Sequence, residues 1–79
     1  MHRLFNLTLA IDYSLAEDSH VKLTVYNSLG QVVAVLVNGL QAQGSYSVTW
    51  DAQNQTSGLY IYRFEADGFT AARKMFLQK

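Results

Sequence analysis

A period of two runs through most of this chain and limits what it can fold into. Leu7, Leu9, Ile11, Tyr13 and Leu15 share one parity, while Thr8, Ala10, Asp12 and Ser14 share the other. Successive side chains of a strand leave opposite faces, so this pattern reads as a strand over 7–15 with one face on a core. The pattern returns at Val21, Leu23 and Val25 against Lys22, Thr24 and Tyr26, and again at Tyr46, Val48 and Trp50 against Ser45, Ser47 and Thr49. No segment keeps apolar residues at three- and four-residue spacing over the 10–12 positions that a helix needs, and β-branched and aromatic residues abound. The chain is therefore read as all-β.

The segments between these runs carry turn chemistry. Asn27-Ser28-Leu29-Gly30 offers Asn to cap a turn and Gly for a positive φ. Residues 38–44, opened by Asn38-Gly39, and residues 51–58 read as loops. Asp51 is the natural Asx-turn residue at the head of the second. Asp67-Gly68 separates strands over 59–66 and 69–77, and Asp-Gly between alternating strands predicts a two-residue type I′ hairpin. That hairpin sets Ala66 opposite Phe69, Phe64 opposite Ala71, Tyr62 opposite Arg73, Tyr60 opposite Met75 and Leu59 opposite Phe76. It also puts Arg73 on an aromatic face, which calls for either a bulge or stacking of the guanidinium on Tyr62 at the sheet margin. Residues 31–37 are apolar on both faces, as for a strand covered on two sides or lying against a partner. Six strands at 8–12-residue spacing predict a small antiparallel sandwich of six to seven strands in one domain over 1–79.

Composition excludes several function classes. A chain of 79 residues buries only about 63% of its extended surface, which supports one thin core worth about 3–5 kcal/mol net. Six basic side chains balance six acidic ones, without the basic excess that nucleic acid requires. There is no cysteine, hence no thiolate nucleophile, disulfide or sulfur-ligated metal. The longest apolar run, 32–37, is too short to span a bilayer, and the start of the chain does not follow a signal-peptide pattern. Proline is also absent, where average usage predicts about four.

Catalytic constellations fail residue by residue. His2 and His20 have no acidic or histidine partner at metal-ligand spacing. Asp12, Glu17 and Asp18 read as a solvated edge and turn rather than a carboxylate pair. Gly39 and Gly44 have the spacing of a phosphate loop, but Ser45-Tyr46 follows where Lys-Ser/Thr is required. No metal, cofactor or enzymatic activity is expected. Asn6 and Asn54 each open a chance match to a glycosylation acceptor. Tyr46, Trp50, Tyr60, Tyr62 and Phe64 are assigned to the core. The rival reading, a carbohydrate-stacking platform, needs Trp50 or Tyr60 exposed. Tyr60, two residues after Gly58 at a strand start, resembles a tyrosine corner. Tyr26, Leu59, Ile61 and Phe76 fall on the opposite face, as a second layer or an association patch.

Taken in order, several blocks carry a family resemblance: Tyr13-Ser14-Leu15, then Val21 to Asn27, then Leu29 to Val33, then Gly44 to Asp51, then Ser57 to Arg63, and last Arg73 to Lys79. From Phe5 to Lys79 the chain resembles the type A C-terminal sorting domain of the type IX (Por) secretion system. That domain is similar in turn to the immunoglobulin-like domain of the flagellar hook-capping protein. The resemblance implies a small immunoglobulin-like sandwich that directs a secreted cargo through an outer-membrane translocon. It also implies translocon proteins as partners, and a secreted or cell-surface location as part of a larger precursor. The family's basic last strand falls on Arg73, Lys74, Met75, Phe76, Leu77 and Lys79, the candidate recognition residues. A strand edge can be read by strand addition. It can equally do no more than complete the sheet.

The chain departs from that family at three prolines, which here are Leu4, Leu7 and Ala16. Edge prolines stop strands from pairing with other molecules. Their loss, with a charge-free run at 31–37 and zero net charge, predicts a homodimer through edge pairing or exchange of a terminal strand. Val33, Val35, Val37, Leu7 and Leu9 are the candidate contacts. The same departures, and a Met1 with no cargo ahead of it, also suit an excised or engineered immunoglobulin-like binding module.

Overall fold

The computed structural model describes residues 8–78. Six strands and no helix are present among them: β1 (Thr8–Leu15), β2 (Ser19–Asn27), β3 (Val32–Gln41), β4 (Gly44–Asp51), β5 (Gly58–Ala66) and β6 (Phe69–Leu77). They form two antiparallel sheets, one of two strands in the order β1-β4 and one of four in the order β3-β2-β5-β6. The chain crosses to the small sheet at β4, which pairs with β1, and returns at β5 to pair with β2. The all-β sandwich read from the alternation is the observed fold.

The core lies on the inner face of β2. Val21, Leu23 and Val25 are fully buried there, and Ile11, Leu15, Trp50, Ala52 and Tyr60 close around them. Two aromatic groups flank this aliphatic centre. Trp50 and Tyr60 meet at one end with ring centroids 5.4 Å apart. A row runs Tyr46, Tyr13, Phe64, Phe69 at the other, with successive centroids 5.4, 4.9 and 6.3 Å apart. Tilted and edge-on rings at these spacings suit the aromatic quadrupole.

β3 resolves the puzzle of a strand apolar on both faces. Its register against β2 slips twice, between Leu23 and Thr24 and between Val25 and Tyr26. Leu36 and Val33 are the extra residues, each a β-bulge that breaks strict alternation. Val32, Val35 and Asn38 consequently face out, while Val33, Ala34, Leu36 and Val37 turn inward and are half-buried. No second cover is needed for most of the run. β3 also extends through Asn38 and Gly39, which pair with Lys22 and Val21. The loop expected over 38–44 therefore shrinks to Ala42 and Gln43, because pairing with β2 overrides the turn preference of Asn-Gly.

The β5–β6 hairpin has the register expected of a two-residue loop, including Tyr62 opposite Arg73 and Leu59 opposite Phe76, with no bulge. Its turn differs from the type I′ expectation. Gly68 has φ of 72°, whereas no non-glycine residue among those described has a positive φ. These are the φ signs of a type II turn. Asp67 thereby avoids the left-handed region, which costs an L-residue about 1–2 kcal/mol.

Asn27 carries the β2–β3 turn as its type predicts. Its Oδ1 accepts from the Leu29 and Gln31 amides, each at 3.0 Å. Asp51 likewise accepts from the Gln53 amide at 3.0 Å, an Asx-turn.

One group is out of place. Thr24 points to the outer face yet is only 1% exposed, between Val35 and Arg63 in register, and its Oγ1 has no hydrogen-bond partner. Thr24→Val keeps the β-branched shape and removes a desolvated hydroxyl. The variant is expected to gain about 1 kcal/mol, which raises Tm by about 4–8 °C for a domain this size. A thermal melt showing a lower Tm would refute it.

Candidate functional site

β6 lies at one end of the four-stranded sheet and pairs with β5 alone among the described residues. Its candidate recognition residues divide by face. Met75 and Leu77 turn inward and pack on the core. Lys74 and Phe76 turn outward, and Phe76 is 80% exposed. Arg73 shares the inward parity but is exposed, since a two-stranded sheet cannot roof four strands and leaves the margin of β6 open. This third arrangement, a bare margin, replaces the bulge or the tyrosine stack that the sequence suggested. Lys79 lies outside the described residues.

β1, which pairs only with β4 among the described residues, runs beside this margin. Thr8 and Leu9 of β1 and Met75, Phe76 and Leu77 of β6 line a cleft of about 100 Å³, which Trp50 and Ala52 also line. Nothing in the alternation singles out this cleft. It arises from the mismatch in width between the two sheets, which only the strand order reveals. Charge is segregated around it. β6 carries Arg73 and Lys74 and no acid, while β1 and β4 carry Asp12 and Asp51 and no base. The zero net charge of the sequence conceals this separation.

The candidate self-association residues are mostly occupied. Val33 and Leu9 pack on the core cluster and Val37 is half-buried opposite Leu23. Leu7 lies outside the described residues. Only Val35, 53% exposed, stands open on the outer face. The bulges of β3 also break the regular ladder that a second molecule would need to pair with.

Among the described residues no group of histidine and acidic side chains could hold a metal. His20 Nε2 lies 3.2 Å from Asn38 Oδ1 on the surface. Trp50 and Tyr60 are 5% and 3% exposed, which removes the carbohydrate platform. The Tyr60 hydroxyl donates to the Thr56 carbonyl at 2.6 Å, the hydrogen bond of a tyrosine corner. Burial pushes the Tyr13 phenol above its ordinary range, and its hydroxyl donates to Gln41 Oε1. A raised folded-state pKa favours the native state until the unfolded chain ionises. Stability is thus expected to hold up to the ordinary value of 10.0 and to fall as pH rises above it. A urea titration at stepped pH that shows no such fall would remove Tyr13 as the cause.

A family model described as the FlgD Ig-like domain matches residues 6–68. The chain belongs to the FlgD Ig-like domain family. The sandwich, the tyrosine corner and the resemblance to the hook-capping protein's immunoglobulin-like domain all agree with that membership. No curated protein and no solved structure matches this FlgD Ig-like domain. The family match ends at Gly68, and β6 starts at Phe69. The strand that carries the candidate recognition residues thus follows the matched segment.

Proposed function

We propose that this FlgD Ig-like domain is a non-enzymatic sorting and anchoring module. It directs a secreted cargo through a type IX translocon, as part of a larger precursor bound for the cell surface. The observation that carries this reading is the position of β6, a strand with only basic charges and with one edge unpaired among the described residues. A translocon protein would read it by adding a strand. Backbone hydrogen bonds would supply affinity, and the alternating outward Lys74 and Phe76 would supply specificity. The resemblance of Arg73 to Lys79 to the basic last strand of sorting domains supports the same assignment. The test is fusion of residues 1–79 behind a periplasmic reporter in a type IX-competent host. Export to the medium or cell surface is expected. A reporter that stays in the periplasm with the domain folded would overturn the reading.

A second reading is favoured by the outer face of the four-stranded sheet. Val32 and Val35 are 56% and 53% exposed, and Phe76 lies farther along the same face beyond Tyr26 and Ile61. An apolar stripe of this kind suits self-association, here through the face rather than an edge. Val35→Lys is then expected to turn a dimer into a folded monomer. A monomer mass that does not change with concentration in the unaltered chain would rule the dimer out.

A further inference from the structure

β6 has two properties that pull against each other. Its outer edge is unpaired among the described residues and lies next to an apolar cleft, which invites another strand. Its charges, Arg73 and Lys74, are all basic, so no antiparallel register of two β6 strands can set opposite charges across from each other. Centring such a pair on Arg73 would set guanidinium against guanidinium, and like charges directly opposite are destabilising. The edge thus gains no charge pairing from a second copy of itself and would gain it from an acidic strand.

We infer that the seam between β1 and β6 is a docking groove for an extended partner segment bearing two apolar side chains and one carboxylate on a single face. The inference rests on the reading of β6 as the recognition strand and adds the chemistry of what reads it. The pattern follows from the inward positions of β6. A strand antiparallel to β6 meets Leu77, Met75 and Arg73 at every second residue. Leu77 and Met75 border the cleft beside Leu9 and Trp50. Its volume of about 100 Å³ is below the 150 Å³ or so of a cavity that takes up benzene, so it admits one aliphatic side chain, and the second apolar side chain lies against the other of Leu77 and Met75 at its rim. Arg73 lies two residues farther on, exposed and without an ion pair among the described residues. Its planar fork fits a carboxylate in bidentate fashion. The partner strand therefore reads apolar, any, apolar, any, acidic.

The test uses the whole chain and a peptide carrying fluorescein on its N-terminal amine, fluorescein-Val-Thr-Val-Thr-Glu-Thr-Val-amide, with a second peptide in which Lys replaces Glu. Anisotropy is expected to show saturable binding of the Glu peptide, about tenfold tighter than the Lys peptide, a step worth about 1.4 kcal/mol. The preference is expected to invert in Arg73→Glu, whose exposed position leaves the fold intact, as the dispersion of its amide spectrum would confirm. Amide shifts on titration are expected along β6 and at Thr8 and Leu9. Equal affinity for the two peptides, no saturation up to about 1 mM, or shifts confined to β3 would each overturn the inference. A domain that exports the reporter yet does not discriminate between the peptides keeps the sorting reading and loses this one.

Discussion

Trp50→Ala is expected to leave the domain unfolded at 25 °C. Trp50 is 5% exposed in the cluster formed with Val25, Ala52 and Tyr60, and Leu9, Met75 and Leu77 pack against that cluster from the seam. Truncating a buried tryptophan to alanine costs about 3–5 kcal/mol, because the site cannot collapse onto the volume left behind. The ring also tilts at 60° against Tyr60 with centroids 5.4 Å apart, and such a pair adds about 0.5–1.5 kcal/mol beyond its burial. A single thin core in a chain of this length supplies about 3–5 kcal/mol in total. The loss matches or exceeds the whole. Trp50 is the sole tryptophan, so its removal also removes the usual fluorescence probe. Far-UV circular dichroism against urea is the appropriate measurement. A cooperative transition with a native baseline at zero denaturant would refute the prediction. Tyr60→Phe makes a useful companion, since it keeps the ring and deletes only the hydroxyl bonded to Thr56. That variant is expected to lose about 1 kcal/mol and remain folded.

What the residues disclosed on their own was local. Leu9, Ile11, Tyr13 and Leu15 alternate because one face of β1 meets a core, and Tyr46, Val48 and Trp50 repeat the signal on its partner. Asp67-Gly68 fixes the β5–β6 register by loop length alone, so Tyr62 opposite Arg73 follows from the sequence. Features that depend on a neighbour could not be read. Leu36 and Val33 are bulged only because β2 offers one residue fewer across from each. Asn38-Gly39 is strand rather than turn because Lys22 and Val21 pair with it. The sequence likewise does not say that β6 ends its sheet, or that β1 and β4 are too narrow to roof it. The basic residues at 73 and 74 were visible, but their setting on an open margin beside a cleft was not. That setting is the part of the candidate site that matters most, and it is a property of strand order.

Leu23→Ala is the second large effect, and it separates folding from recognition. Leu23 is fully buried on the inner face of β2, an interior strand, opposite Val37 on one side and Phe64 on the other. Removing its isobutyl group costs about 2–5 kcal/mol, the upper part of the range applying where neighbours are held in place. Pleated neighbours on both sides and the aromatic row beyond Phe64 hold this site, so a loss near 3–4 kcal/mol is expected from the same range. The folded fraction at 25 °C becomes marginal, and Tm falls below the working range. An unfolding free energy from urea titration within about 0.5 kcal/mol of the unaltered domain, the span of an ordinary surface substitution, would show that Leu23 is not the keystone of this core. The consequence for function follows from position. Leu23→Ala leaves every side chain of β6 in the sequence and removes the sheet that presents them, whereas Arg73→Glu leaves the sheet and alters the edge. If sorting reads β6 as a bare linear signal, the Leu23 variant still exports a reporter at a temperature where it is unfolded. If sorting reads β6 as a presented edge, export fails together with folding. The two variants, followed in one export assay across the melting range of the first, decide between them.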